Sequence, residues 1–202
     1  MILCRVLTRP GPLYPEGRGH IISILVSVLP GIDCNDIKKT MSVFQLISIY
    51  GRLVPMVDLT SFLSSRKNLS STEKKICQDS AKLRGFVMEF MDKCFILVEN
   101  STLELIRQEQ STSDAHMSSE VRAQFQYHQI FTSFSFQESS IHSGIVSCLH
   151  SVVLMADDDI LDAVITKMEN FLKGRILEPK ISGRIAAGMV RTLASICPDR
   201  SE

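Results

Sequence analysis

Apolar side chains recur every three or four positions along most of this chain, which is the spacing of one face of an α-helix. The clearest short example is the stripe formed by Ile37, Met41, Phe44 and Ile47. Further stripes at this spacing are Ile76, Leu83, Val87, Phe90, Cys94, Leu97 and Val98, then Ile141, Ile145, Leu149 and Val152, then Ile160, Val164, Met168 and Phe171, and finally Ile185, Met189, Leu193 and Cys197. No convincing strand hairpin interrupts them, so the pattern predicts an all-α protein.

Helix-breaking and helix-capping residues divide the first quarter of the chain. Prolines predict an irregular N-terminal segment over residues 1–15, because proline lacks the amide hydrogen that a helix requires. A first helix is predicted over residues 16–29, ahead of a Pro-Gly pair that stops it. Asp33 or Asn35 is expected to cap a second helix, which should end near Gly51.

The middle of the chain contains one strong start signal and one ambiguous stretch. Residues 54–70 are predicted to be a loop with one short turn. Ser70 and Glu73 form a capping-box pattern that begins the longest periodic segment, continuing through Ile106. Residues 110–136 begin within a polar stretch that predicts a loop. They continue with apolar positions whose spacing fits a strand or a helix.

The C-terminal stripes carry their own boundary residues. Asp157 or Asp158 is expected to cap the helix marked by Ile160, and Lys173-Gly174-Arg175 is expected to close it. Pro198 stops the last predicted helix. Small residues concentrated on that helix indicate close approach of a neighbouring helix; they are Gly183, Ala186, Ala187 and Gly188.

The order and spacing of these elements predict a repeat architecture. Short connections make consecutive helices antiparallel neighbours. One helix pair follows the next at roughly 40 to 60 residues, near the period of HEAT-type pairs. We therefore predict a HEAT-like α-solenoid of antiparallel helix pairs, with helices over residues 16–109 and 137–202 on either side of the 110–136 segment.

Charge and composition exclude several classes of protein. Lys plus Arg and Asp plus Glu number 22 each, so the chain has no formal net charge. A dedicated nucleic-acid binder normally shows a basic excess, so direct nucleic-acid binding is not expected. The longest apolar run, residues 21–29, is far shorter than the roughly 20 residues that span a bilayer. We expect no membrane insertion and a location inside the cell.

Residues with chemical potential do not form a recognisable site. The chain has no CxxC, HExxH, GxSxG or P-loop spacing, so we assign no catalytic residue and no metal ligand, and leave any cofactor-binding residue unknown. The cysteines are expected to be buried, reduced thiols; they are Cys4, Cys34, Cys77, Cys94, Cys148 and Cys197. The histidines are too dispersed to suggest a metal site; they are His20, His116, His128, His142 and His150.

Short charged runs have simple structural interpretations. The run Asp157-Asp158-Asp159 precedes a helix and suits the positive end of its dipole. The pairs Lys38-Lys39, Arg66-Lys67 and Lys74-Lys75 are interpreted as solvated faces or loops. Contact with an acidic ligand or partner is the alternative for these pairs.

Several longer segments resemble one protein family, the large HEAT-repeat proteasome activators. The segments are Tyr14-Pro15-Glu16-Gly17, Val28-Leu29-Pro30-Gly31-Ile32-Asp33-Cys34-Asn35-Asp36, Lys39-Thr40-Met41, Phe44-Gln45, Leu53-Val54-Pro55-Met56-Val57-Asp58, Phe90-Met91-Asp92-Lys93-Cys94-Phe95, Glu99-Asn100-Ser101-Thr102-Leu103-Glu104, and Gly183-Arg184-Ile185-Ala186-Ala187-Gly188-Met189 with Cys197-Pro198. The likeness covers residues 14–109 well and 140–200 more loosely, whereas residues 110–136 fit it poorly.

This resemblance implies a non-catalytic scaffold within a dome that caps the proteasome core particle and promotes peptide hydrolysis. It also implies a nuclear and cytoplasmic location and links to degradation of acetylated histones, DNA damage and repair, and spermatogenesis. Expected partners are the core particle, contacted through a full-length parent, other repeats of the same solenoid, and acetylated histones bound by regions absent here. Inositol phosphates occupy basic openings of the dome in family members, but the resemblance assigns none of them to residues of this chain.

The chain departs from the family in length and at its C-terminus. It matches an internal part of the N-terminal half and resembles a fragment, short isoform or paralogue. It ends in Arg200-Ser201-Glu202 rather than the family's hydrophobic–Tyr–any docking tail. The rival hypotheses are a generic helical-repeat adaptor in complex assembly or transport, and an enzyme, for which no motif argues.

A piece cut from a solenoid should expose apolar faces at its ends, because each repeat buries its apolar face on a neighbour. We expect the helix containing Ile21, Ile22, Ile24, Leu25 and Val28 to be that exposed face. Marginal stability and self-association should follow.

Overall fold

The computed structural model describes residues 17–114 and 140–175 of the chain. The helices are α1 (Ile21–Val28), α2 (Ile37–Gly51), α3 (Ser61–Ser65), α4 (Ser71–Ser80), α5 (Leu83–Asp114), α6 (residues 140–153) and α7 (Asp158–Arg175). Turns of 3₁₀-helix, Gly17–His20 and Leu29–Gly31, flank α1. The irregular segment 1–15, residues 115–136 and the last helix with its small residues are predictions that lie outside the described residues.

The predicted all-α class is confirmed. Across the described ranges the only extended pairing is an isolated bridge between Met56 and Ala156. Within the same ranges, none of the helices is both long and apolar enough to cross a lipid bilayer.

Helices α2 and α6 lie side by side and run in the same direction. Their contacts advance along both helices together: Phe44 meets Gly144, Ser48 meets Ser147, and Gly51 meets Ser151. Helices α5 and α7 show the same relation, since Asp92 pairs with Lys167 and, further along both helices, Phe95 stacks on Phe171.

The remaining contacts arrange these helices into stacked pairs. Helix α5 runs opposite to α2, because Phe90 packs on Phe44 in the middle of α2 whereas Asn100 reaches Cys34, ahead of its start. Helix α1 contacts both α2 and α5. Thus α1, α5 and α7 form one layer, and α2 and α6 form the other. This is the stacking of antiparallel helix pairs predicted for a HEAT-like solenoid.

The core lies between the two layers and is mainly aliphatic. Its largest fully buried side chains include Leu25, Phe44, Tyr50 and Phe90. The exposure predicted for the apolar face of α1 is wrong, because Ile21, Ile22 and Leu25 are at most 7% exposed. Helices α2, α4 and α5 all pack against α1. The apolar face of α1 is therefore part of the core and not an exposed end of the solenoid.

The long periodic segment predicted from Ser70 onwards is two helices rather than one. Ser80 is the last residue of α4, and its hydroxyl donates to the Cys77 carbonyl at 2.7 Å. The same hydroxyl accepts from the Leu59 amide at 2.8 Å. Local and long-range hydrogen bonds at Ser80 therefore coincide with the break that the apolar spacing does not reveal.

Three predicted boundaries also differ. Asp36, not Asp33 or Asn35, caps α2 by accepting from the Lys39 amide at 3.0 Å. Asp33 accepts instead from the Asn35 amide. Helix α5 continues to Asp114 where the polar stretch predicted a loop, since Gln and Glu are good helix formers. Gly174 lies inside α7, which extends to Arg175.

Candidate functional site

Small residues on α6 form a close seam with α2. Gly144, Ser147, Cys148 and Ser151 recur every three or four positions, so they share one face of the helix. A Cβ atom added at Gly144 would lie 2.4 Å from Phe44 Cδ2. On the opposite helix, a Cβ atom added at Gly51 would lie 3.2 Å from Ser151 Cβ. The two helices approach closely because these positions carry little or no side chain.

Polar contacts fix the register of this α2–α6 seam. The Cys148 thiol donates to the Phe44 carbonyl at 3.2 Å, and the Arg52 Nε–H donates to the Ser151 hydroxyl at 3.2 Å. Ser151 is fully buried, and its hydroxyl donates in turn to the Ser147 carbonyl at 2.7 Å. Sliding one helix along the other would break the Cys148–Phe44 and Arg52–Ser151 hydrogen bonds, which costs free energy.

A backbone bridge between Met56 and Ala156 continues the contact of α2 with α6 beyond the ends of the two helices. The Met56 amide donates to the Met155 carbonyl at 2.7 Å, and the Asp157 amide donates to the Met56 carbonyl at 3.1 Å. Met56 is fully buried. The segment leaving α2 is thereby attached to the turn between α6 and α7.

Cys94 and Cys148 are not placed for nucleophilic chemistry. Burial raises the pKa of Cys94 well above its ordinary value and raises that of Cys148 to about 12. Their reactive thiolate forms are therefore scarce near neutral pH. Cys77 is also a buried free thiol, as predicted. Cys34 is exposed, contrary to the prediction, because it precedes α2 in a loop rather than lying on an apolar stripe.

The histidines and acidic residues of the described ranges do not converge on a metal site. Within residues 17–114 and 140–175, no three His, Cys, Asp or Glu side chains are close enough together to hold an ion. Asp157 caps α7 by accepting from the Ile160 amide at 3.0 Å, as one of the predicted alternatives. Asp158 and Asp159 lie exposed in the first turn. That the whole chain lacks a metal site stays a prediction.

The predicted cationic pairs lie mainly at the surface. Lys38, Lys39, Arg66, Lys67 and Lys74 are exposed. Lys75 is half-buried, with its ammonium 3.3 Å from His20 Nδ1. These positions agree with the interpretation as solvated faces.

A shallow groove of about 580 Å³ lies between α5 and α7 beside Arg84 and Met88. It is lined by Arg84, Met88, Asp159, Asp162, Ala163, Thr166, Lys167 and Asn170. Small-molecule sites are enclosed and mainly apolar, whereas this groove is open and carries charges of both signs. Lys167 is already paired with Asp92 at 2.7 Å. The groove suits contact with protein surface better than enclosure of a substrate.

The α2–α6 seam is the feature that sequence reasoning missed. The small residues predicted to allow close helix approach lie near the C-terminus, although Gly144, Ser147, Cys148 and Ser151 carry the same signal. Their spacing was available in the sequence. The apolar stripe of α6, which begins at Ile141, occupies the same helix, so the small residues do not stand out as a separate pattern.

Comparison with known proteins identifies a family across nearly the whole chain. Residues 3–181 match a family profile described as proteasome activator complex subunit 4, mid HEAT repeats region. Proteasome activator complex subunit 4 from Homo sapiens is 33% identical over 199 residues, covering 98% of this chain and 10% of the relative. The Xenopus laevis protein of that name is 33% identical, and subunit 4B from Danio rerio is 32% identical, each with the same coverage. The chain thus spans about a tenth of the length of these relatives.

Proposed function

Since this chain belongs to the proteasome activator complex subunit 4 family, we propose that it is a non-catalytic segment of a helical-repeat scaffold in a proteasome activator. Its role is to hold neighbouring repeats in a fixed relative orientation. The observation that carries the proposal is the α2–α6 seam, where small residues and hydrogen bonds between the two helices define one register.

The roles of the polar side chains and the stacking of the helices support a scaffold function. Polar side chains such as Asp157 and Ser151 form a helix cap and a contact of the α2–α6 seam, and burial raises the pKa values of Cys94 and Cys148. Stacked helix pairs create extended surfaces without a reactive centre. The α5–α7 groove is one such surface.

The finer functions belong to a full-length protein. We propose that this chain's repeats contribute there to a dome on the proteasome core particle, promoting degradation of peptides and acetylated histones in the nucleus and cytoplasm. Inositol phosphate binding is proposed only for the basic openings of the assembled dome. No residue of this chain is assigned to the core particle, histones or inositol phosphates.

A chimera tests the scaffold proposal. The mid HEAT-repeat region of the human relative is replaced by this chain, and binding to purified core particle is followed by native electrophoresis, with hydrolysis of a fluorogenic peptide as the activity. The chimera should bind and stimulate hydrolysis. A second chimera carrying Gly144→Leu should lose both, because the added side chain collides with Phe44.

Two results would contradict the proposal. One is a chimera that is folded by circular dichroism and monodisperse yet does not bind the core particle. The other is peptide hydrolysis by the 202-residue chain itself that is abolished by one point substitution, because that would reveal a catalytic centre.

A further inference from the structure

The connection between α2 and α5 carries an exposed surface with both apolar and cationic side chains. Every residue from 61 to 68 is exposed. Phe62 and Leu63 on α3 remain 38% and 37% exposed although they are large and apolar. Arg66, Lys67 and Lys74 follow them in the sequence and are also exposed. We call these five residues the α3–α4 surface.

The charge of this region is unbalanced, although the whole chain is neutral. Residues 58–82 contain five cations and three carboxylates. Each carboxylate accepts a local hydrogen bond: Asp58 from the Thr60 amide, Glu73 from the Ser70 amide and hydroxyl, and Asp79 from the Lys82 ammonium. These bonds lower the pKa of Asp58 and Glu73, and the positive charge of Arg66 adds to the lowering at Glu73. No ion pair to Arg66, Lys67 or Lys74 occurs among the described residues.

The surface is held in place rather than loosely attached. The Leu59 amide, just before α3, donates to the buried Ser80 hydroxyl at 2.8 Å. The capping box of Ser70 and Glu73 fixes the start of α4. The Arg66 guanidinium lies 5.3 Å from the centre of the Phe62 ring, within cation–π range. Such preorganisation reduces the entropy lost on binding.

We propose that the α3–α4 surface docks a short acidic segment of another protein. An apolar side chain of that segment covers Phe62 and Leu63, while its carboxylates pair with Arg66, Lys67 and Lys74. Aromatic residues and arginine are enriched in protein interfaces, and an Arg guanidinium binds a carboxylate with two parallel hydrogen bonds. The small area predicts a weak, reversible contact. The inference rests on this surface and not on the proposed scaffold role.

Other anionic partners fit less well. Membrane adsorption by a basic segment usually involves four to eight clustered cations or a long amphipathic helix. The α3–α4 surface has only the cations Arg66, Lys67 and Lys74, and α3 has five residues. Proteins that bind single-stranded nucleic acid stack bases on open aromatic faces, but the Arg66 guanidinium covers one face of Phe62. A peptide uses both the apolar pair and the cations.

The test begins with selection of random dodecapeptides displayed on phage against the complete 202-residue chain. Enriched peptides should combine Asp or Glu with Leu, Ile or Phe. Labelled synthetic copies are then titrated by fluorescence anisotropy. Phe62→Ala/Leu63→Ala and Arg66→Glu/Lys67→Glu should each weaken binding by about tenfold, the scale of an interface hot spot. Leu53→Ala and Lys38→Glu/Lys39→Glu are matched controls at other exposed sites and should leave binding unchanged.

Circular dichroism first establishes that all four variants keep the helical content of the parent chain. The proposal is overturned if acidic–apolar peptides are not enriched, or if the enriched peptides bind the α3–α4 variants as well as the parent. It is also overturned if phosphatidylserine vesicles or oligodeoxythymidine bind through these residues and the selected peptides do not. Those outcomes would assign the surface to lipid or nucleic acid.

Discussion

Two helical glycines show how strongly the effect of a side chain depends on its surroundings. A Cβ atom at Gly144 would lie 2.4 Å from the buried Phe44 ring, whereas one at Gly85 would meet no atom within 4 Å. Alanine is the better helix former at both positions. The intrinsic preference should therefore prevail at Gly85 and the collision at Gly144.

We expect Gly144→Ala to lower the free energy of unfolding by about 1–3 kcal/mol, because Phe44 and its neighbours must move apart. Gly85→Ala should raise it by about 0.4–1 kcal/mol, because the unfolded chain loses freedom. Urea denaturation followed by circular dichroism measures both. A Gly144→Ala protein as stable as Gly85→Ala would contradict the tight α2–α6 seam.

The cysteines should separate by reactivity. The pKa of Cys148 is raised to about 12 and that of Cys94 is raised well above its ordinary value, so both remain thiols near neutral pH. Iodoacetamide reacts with thiolate, and we expect exposed Cys34 to be alkylated while Cys94 and Cys148 are spared in the folded chain. Peptide mass spectrometry identifies the alkylated sites, and labelling in urea provides the control.

The raised pKa values also set the direction of a pH effect on folding. The thiol form favours the folded state, so this contribution is complete below the ordinary cysteine pKa of about 8.5. This stabilising contribution is lost as the pH rises from there through the pKa values of the folded state.

Rapid alkylation of Cys148 by iodoacetamide at pH 8 without urea would contradict the predicted protection and would show that the α2–α6 seam opens readily.

At the scale of elements, two very different contacts join α5 to α7. Phe95 stacks on Phe171 with ring centres 4.1 Å apart, and Asp92 pairs with Lys167 at 2.7 Å. Phe95 is only 8% exposed, whereas the Asp92 side chain is 58% exposed. Solvent screens the ion pair, so the aromatic contact should contribute more to stability.

We therefore expect Phe95→Ala to cost about 3 kcal/mol through the lost packing and the cavity left behind. Asp92→Asn should cost less than about 1 kcal/mol, and raising the salt concentration should reduce that difference further. Chemical denaturation at two salt concentrations separates the effects. Equal losses from the two substitutions would mean that the ion pair is better shielded from water than its exposure indicates.

Sequence periodicity identified the helices better than their ends or neighbours. The stripes through Phe44, Phe90 and Leu149 are buried as predicted. The break between α4 and α5 could not be predicted from spacing, because the long-range bond from Leu59 to Ser80 depends on the folded chain. Similarly, only the packed structure shows that α1 is covered.

The candidate surfaces were less predictable than the fold. The sequence predicts Arg66 and Lys67 as exposed cations, but the contact of Arg66 with Phe62 depends on the local arrangement of α3. The α5–α7 groove combines residues about seventy-five positions apart, and no local motif can indicate such an approach. Its residues come together because two helices of one layer are parallel neighbours.

The described part of the chain is held together by contacts between adjacent helices, as expected for a repeat protein. The net charge of the whole chain is zero, so long-range repulsion does not oppose association. The apolar edge differs from the one predicted on α1. Leu53 and Leu154 are 52% and 45% exposed after α2 and α6, and the Met56–Ala156 bridge holds those ends together.

We expect this edge to promote self-association as protein concentration rises, because pairing would remove both leucines from water. Leu53→Glu/Leu154→Glu should shift sedimentation-velocity profiles towards monomer by adding charge at the contact. Ile96→Glu is the matched control, since Ile96 is 57% exposed on α5 but is not held beside this edge by the bridge. It should change the profiles less. A parent chain that stays monomeric throughout, or an equal effect of Ile96→Glu, would mean that the α2–α6 edge does not direct association.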